Sequence, residues 1–184
     1  DIVVNTGGTL FLGGYFGTLG GTWSNGIGMY FPLLNTFGTL AGGTIGNGGG
    51  SVNVRSLAFA PSGSLFIAGN TLTHGGTTSP NVGMWNGNFG TLTGGTVDVA
   101  NQAYILTYSP LGTLFLGGDF LNAGGTVAPR IAQWANAVWG TLSQAAGTIT
   151  SRVAALAWGL NNTLYVGGNF GSAGGTGVGS IAQW

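Results

Sequence analysis

The sequence has no cysteine, which excludes both a disulfide framework and a thiolate metal site. Charge is almost missing as well. Charged residues make up 3% of the 184, against roughly a quarter in an ordinary soluble domain. Near neutrality, charge is confined to Asp1, Asp98, Asp119, Arg55, Arg130, Arg152 and His74. The formal net charge of +0 gives no hold on phosphates or an anionic membrane surface, so nucleic acid is not an expected partner. Such a surface resists self-association weakly, and it suits a molecule that is densely packed, glycosylated or part of an assembly. No apolar run approaches the length of a membrane helix, because Gly, Thr, Asn and Ser interrupt every stretch, and membrane insertion is not expected. Lysine is absent and no helix follows the glycine runs, so Gly48-Gly49-Gly50 does not read as a phosphate loop. Neither a signal peptide nor an initiating Met is visible. A chain opening on Asp1 is expected to be a processed product or a segment of something longer.

Glycine is abundant at 40 residues, yet without a Gly-X-Y period, and hydrophobic residues still reach 43%. That excludes collagen and leaves enough apolar surface for a core. The glycines belong to a repeat. Gly8-Thr9-Leu10-Phe11-Leu12-Gly13-Gly14 returns as Gly63-Ser64-Leu65-Phe66-Ile67-Ala68-Gly69, Gly112-Thr113-Leu114-Phe115-Leu116-Gly117-Gly118 and Asn162-Thr163-Leu164-Tyr165-Val166-Gly167-Gly168. The steps from Leu10 to Leu65, Leu114 and Leu164 are 55, 49 and 50 residues. Gly-Gly-Thr triplets ending at Thr22, Thr77, Thr126 and Thr176 keep those steps, and so do the aromatics Tyr30, Trp85, Trp134 and Trp184. Agreement to the residue in three columns marks a repeat architecture. The first unit's extra residues lie in Phe31-Pro32-Leu33-Leu34 and around Gly48-Gly49-Gly50.

Helical periodicity is nearly absent, and each unit offers four short strand candidates between turn-forming residues. In the second unit they are Ser56–Ala60, Ser64–Ala68, Asn81–Trp85 and Asn88–Leu92. The second candidate is apolar on both faces, with Leu65 and Ile67 on one side and Phe66 on the other, which suits a sheet sandwiched between two others. The glycines after it are expected to allow a sharp exit or a conformation closed to larger side chains. About fifty residues forming four antiparallel strands with both faces buried predicts an all-β fold, a β-propeller built from such blades. The alternative is a β-solenoid. The units run 1–55, 56–104, 105–154 and 155–184, giving three complete blades and most of a fourth within one repeat domain.

The unit resembles the kelch-type propeller repeat, in which a strand ends in Gly-Gly and two aromatics follow at set spacing. Gly117-Gly118, Trp134 and Trp139 match that order, as do Gly13-Gly14, Tyr30 and Phe37. It is also similar to secreted repeats of the form Leu-Tyr-Val-Gly-Gly-x-Phe, Ala-Gly-Gly-Thr, Ile-Ala-x-Trp. Leu164–Phe170, Ala173–Thr176 and Ile181–Trp184 spell that pattern. The resemblance covers the whole chain and implies a propeller; it implies little about activity, because propellers host many. Rings of this kind usually hold more blades and share strands between their termini. Further repeats, or neighbouring chains, are therefore expected to complete the ring. The copper oxidases of the kelch fold need a cysteine-modified tyrosine and paired histidines, and this chain has neither.

Candidate site residues are few. His74 is the only histidine, and its column otherwise holds Leu19, Ala123 and Ala173, so it reads as a turn residue without chemistry. Asp119 lacks the neighbouring carboxylates of a calcium loop and reads as capping its own turn. The three arginines occupy different columns and predict no cluster. Tyr30, Trp85, Trp134 and Trp184 read as anchors of blade packing. Trp23 stands against Thr78, Val127 and Gly177, which makes it the candidate for an exposed contact. Asn161 heads the sequon Asn161-Asn162-Thr163. No catalytic residue, metal ligand or cofactor site is expected. The function expected is a non-catalytic structural or adhesive module of an extracellular, cell-surface or virion-surface assembly. Its expected partners are copies of itself or further propeller repeats. The alternative is a glycan-binding module.

Overall fold

The computed structural model describes residues 1–49, 52–71, 73–98, 101–142 and 148–184. The last glycine of the Gly48–Gly50 run lies outside them. The described chain is all-β, as expected, and is built from small antiparallel sheets. Each repeat forms one principal sheet whose strands pair in chain order. The first contains Ile2–Val4, Leu10–Gly13, Ile27–Phe31 and Thr36–Gly38. The second contains Asn53–Phe59, Leu65–Asn70, Val82–Trp85 and Phe89–Gly90. The third contains Ala103–Tyr108, Leu114–Gly118, Ile131–Ala135 and Val138–Gly140. In the fourth, Val153–Trp158, Leu164–Gly168 and Ile181–Gln183 pair as three strands.

The sequence columns are the register of these ladders. Ile2 faces Leu12, Leu57 faces Ile67, Leu106 faces Leu116, and Leu156 faces Val166. Leu10, Leu65 and Leu114 face Tyr30, Trp85 and Trp134, and Leu164 exchanges two backbone hydrogen bonds with Trp184. A one-residue slip would turn every apolar side chain to the wrong face, so register and pattern must keep step. In the second sheet the first strand begins at Asn53, three residues before the expected Ser56. A bulge between Val54 and Ser56 lets Val54 still pair with Gly69.

A small hairpin between the second and third strands of each repeat was not among the expected strands. Leu19 pairs with Thr22, His74 with Thr77, Ala123 with Thr126 and Ala173 with Thr176. Both glycines of each connecting pair have positive φ, for example 58° and 80° at Gly75 and Gly76. A two-residue hairpin turn of the primed type requires that conformation, which explains the Gly-Gly-Thr column. The small pair near the end of each second strand, Gly-Gly in three repeats and Ala68-Gly69 in the second, has a different cause. None of Gly13, Gly69, Gly117 and Gly168 adopts positive φ. A Cβ on Gly13 would lie 2.5 Å from Val54 of the next sheet, and one on Gly69 or Gly168 would strike the backbone of the first strand in its own sheet. Close approach, not a special backbone conformation, keeps these positions small.

The chain divides into two compact units, Asp1–Leu92 and Thr93–Trp184, each with two principal sheets and its own core. In the first unit Phe11 and Ile27 of the first sheet pack with Val54, Leu57, Leu65 and Ile67 of the second. In the second unit Phe115 and Ile131 of the third sheet pack with Val153, Leu156, Leu164 and Val166 of the fourth. Leu40 and Ile45 seal the first core, and Leu142 and Ile149 the second, all four from the segments that join consecutive sheets.

Candidate functional site

The two cores repeat one joint. In the first unit the Phe11 ring meets Phe59 edge-on at 5.2 Å between centroids and Trp85 at 5.8 Å. In the second unit Phe115 meets Trp158 at 5.2 Å and Trp184 at 6.3 Å. Trp158, which stands out in the sequence as a lone tryptophan, therefore fills the place that Phe59 fills one joint earlier. The indole N–H of Trp85 donates to the Ala41 carbonyl at 2.9 Å, and that of Trp134 to the Thr93 carbonyl at 2.9 Å. The Trp85 ring thus offers an apolar body to the first unit's joint and a polar tip to the linker, the usual placement of an amphipathic aromatic. Tyr30 is half-buried, meets the Phe37 ring at a tilt of 43° with centroids 5.0 Å apart, and donates its hydroxyl to Asn35.

On two sheet faces, residues of the same columns are exposed. On the fourth sheet Tyr165, in the column of the buried Phe11, Phe66 and Phe115, is 41% exposed. Ile181, in the column of the buried Ile27, Val82 and Ile131, is 61% exposed. On the first sheet Ile2 and Val4 are 61% and 60% exposed, although Leu57, Leu106 and Leu156 are buried in the Ile2 column. Trp23 lies on the outer arm of the first hairpin, paired with Thr18, and is 61% exposed. Asn161 sits in an exposed turn with φ of 60°. An open apolar pocket of about 390 Å³ lies between the Gly7-Gly8 turn and the inserted Phe31–Leu34 segment, and no polar side chain other than Thr9 lines it.

The titratable groups are engaged in the scaffold. Asp119 does not cap its own turn: its carboxylate accepts from Arg152 at 2.8 Å, and Arg130 donates to its backbone carbonyl. Arg152 also lies 4.3 Å above the Tyr104 ring. Two arginines from different columns thus meet. The second strand of the third sheet ends beside Arg130, which precedes that sheet's third strand, and beside Arg152, which precedes the fourth sheet. The hydrogen bond to Asp119 raises the Arg152 guanidinium pKa above its ordinary value. Asp98 accepts from the backbone N–H groups of Leu121 and Asn122, each at 2.9 Å. Asp1 accepts from Leu57 N–H at 2.8 Å. His74 lies on an inner hairpin arm and is fully buried, and neither ring nitrogen has a hydrogen-bond partner among the described residues. Burial pulls its pKa down to about 4, partly offset by the Ser79 backbone. No group of three or more His, Cys, Asp or Glu among the described residues is placed to hold a metal ion.

No protein-family model and no curated protein matches the chain. Solved structures do. The chain is similar over 99% of its length to the extracellular domain of a protein from B. thetaiotaomicron assigned as a hybrid two-component system, at 14% identity and a TM-score of 0.64. A second structure, of the same extracellular domain assigned as a one-component system, matches over 100% of the chain at 13% identity and a TM-score of 0.64. The chain spans about a fifth of the length of these structures, 20% and 21%. Likeness at this identity establishes a shared all-β fold. Among the described residues no helix is long and apolar enough to cross a membrane.

Proposed function

We propose that the chain is a non-catalytic extracellular module whose principal sheets are blades of a kelch-like β-propeller. Its work is structural or adhesive, performed through contact with copies of itself or with further repeats of the same kind. One observation carries this reading: the residues that recur in lockstep are the contents of the sheet-to-sheet joints. The face-to-face packing in both units supports blades over a β-solenoid. The three carboxylates and the single histidine have structural partners or lie buried, which supports a role without turnover. The extracellular origin of both structural neighbours supports the placement outside the cell. Electron microscopy and size-exclusion chromatography of the purified chain test the reading. Ordered assemblies or surface-bound particles are expected, and a lone soluble monomer that adheres to nothing counts against it.

A second reading, glycan binding, is favoured by the exposed indole of Trp23. Sugars stack on such rings, and the hairpin beneath Trp23 holds it on a rigid arm. On a glycan array, binding that disappears with Trp23→Ala while the fold is retained supports this reading. Silence across diverse glycans removes it.

A further inference from the structure

Three Asn-Gly pairs occur in the sequence, Asn25-Gly26, Asn47-Gly48 and Asn86-Gly87. Glycine after asparagine puts no Cβ beside the next backbone nitrogen, so that nitrogen can approach the asparagine side chain closely. The fold treats the three pairs differently. The Asn25 amide donates to the Ile45 carbonyl, and the N–H of the buried Gly26 donates to the Phe16 carbonyl at 2.7 Å. Both groups are held. Asn47 is half-buried and not free of partners. Asn86-Gly87 lies in the exposed turn between Val82–Trp85 and Phe89–Gly90. Among the described residues, neither the Asn86 side chain nor the Gly87 N–H has a hydrogen-bond partner. Nothing lies within 4 Å of the place a Gly87 Cβ would take. The equivalent turn of the third sheet carries Asn136-Ala137 instead.

We propose that Asn86-Gly87 is a site of self-modification, at which Asn86 is converted to aspartate and isoaspartate without an enzyme. The Gly87 nitrogen gives its proton to hydroxide and attacks the side-chain carbonyl carbon of Asn86. The bond from that carbon to the side-chain nitrogen breaks, and the nitrogen takes up a proton and leaves as ammonia. Water then opens the resulting succinimide at either carbonyl. One water is consumed and one ammonia released, with no change of oxidation state. The fold leaves nucleophile and electrophile free at this turn and ties both down at Asn25, and intramolecular reactions depend steeply on such placement. The product carboxyl, with an ordinary pKa of about 3.9, is ionised near neutrality. It adds a negative charge to a chain of formal net charge +0. In isoaspartate the main chain also runs through Cβ, one atom longer, between Trp85 and its partner Phe89. Trp85 packs on Phe11 in the first unit's joint, so the change arises one residue from that contact. The reaction needs neither a partner nor a second copy, and so lies outside the function proposed above.

Peptide mapping by mass spectrometry, on the wild-type chain held at mildly alkaline pH and sampled over days, tests the site. In the folded chain Asn86 is expected to gain one mass unit at least tenfold faster than Asn25, with both aspartate and isoaspartate among the products. The same incubation in denaturant is expected to bring the two rates together, because unfolding frees Asn25 and Gly26. Gly87→Ala, which copies Ala137 of the third repeat, is expected to slow the reaction at Asn86 at least tenfold and to leave the slow rate at Asn25 unchanged. If that variant fails to fold, its Asn25 rate rises to the denatured value, and the wild-type comparison decides alone. Equal rates at Asn25 and Asn86 in the folded chain overturn the proposal. So does an Asn86 that reacts only after unfolding, or a tenfold difference that persists in denaturant, since neighbouring sequence and not the fold would then set the rates.

Discussion

His74 and Gly83 occupy one small volume, and the other repeats show how it is shared. A Cβ on Gly83 would run into the His74 ring, and a Cβ on Gly28 would come within 2.7 Å of Leu19. Where the hairpin residue shrinks to Ala123 or Ala173, the third strand carries Ala132 or Ala182 instead. The large residue always faces glycine and the small one alanine, as close packing requires. Gly83→Ala is therefore expected to destabilise the first unit by about 1–3 kcal/mol through overpacking. Adding His74→Ala is expected to recover much of that loss by recreating the alanine pair, as chemical denaturation of the single and double variants would reveal. Failure of the double variant to recover any stability would place the clash elsewhere.

The same histidine makes stability depend on pH. Its folded pKa of about 4 lies below the ordinary 6.5, so the unfolded chain binds the proton more readily. Its stabilising contribution is intact above pH 6.5 and is lost progressively as pH falls to about 4, by about 3 kcal/mol in all. His74→Leu, which copies the first repeat, is expected to flatten that part of the stability curve. From sequence His74 reads as a turn residue, although a column otherwise of Leu, Ala and Ala carries an apolar signal. The sharing of volume was not legible, because it becomes visible only when the hairpin column and the third-strand column are set side by side.

At the scale of elements, the hairpins explain two glycine columns at once. Gly124 has positive φ, and a Cβ there would also strike the Gly94 carbonyl and Trp139 of the third sheet's fourth strand; Gly125 has positive φ but open space around it. Gly125→Ala is expected to cost about 1–2 kcal/mol from the left-handed backbone alone. Gly124→Ala is expected to cost clearly more, and thermal melts of the two variants would separate them. Equal losses would mean that neither the Gly94 carbonyl nor Trp139 presses on the turn. The principal strands and their register could be read from period-two patterning and from columns that keep step. The hairpins escaped because arms of two residues carry no period, although a Gly-Gly pair between Thr-bearing arms is itself a turn signal. The pairing of Asp119 with Arg152 escaped for a topological reason. Residues 33 apart come together only because strand ends of neighbouring sheets share one edge.

For the whole molecule, a chain with 3% charged residues and repeated apolar faces must hold together by packing, with little help from ion pairs. The exposed Arg152–Asp119 bridge adds little to stability. Association between copies is expected to be undiminished between roughly 0.05 and 0.5 M salt, because screening acts on charges and the chain carries few. Sedimentation at the two salt levels checks this, and dissociation at the higher one would point to a different, polar contact.

The physical claim beneath every conclusion above is that the recurring aromatics touch across neighbouring sheets. A double-mutant cycle on Phe11→Leu and Phe59→Leu measures that contact directly. A coupling free energy of about 0.5–1.5 kcal/mol is the result expected for interlocked rings. Losses that simply add, to within about 0.3 kcal/mol, would contradict it.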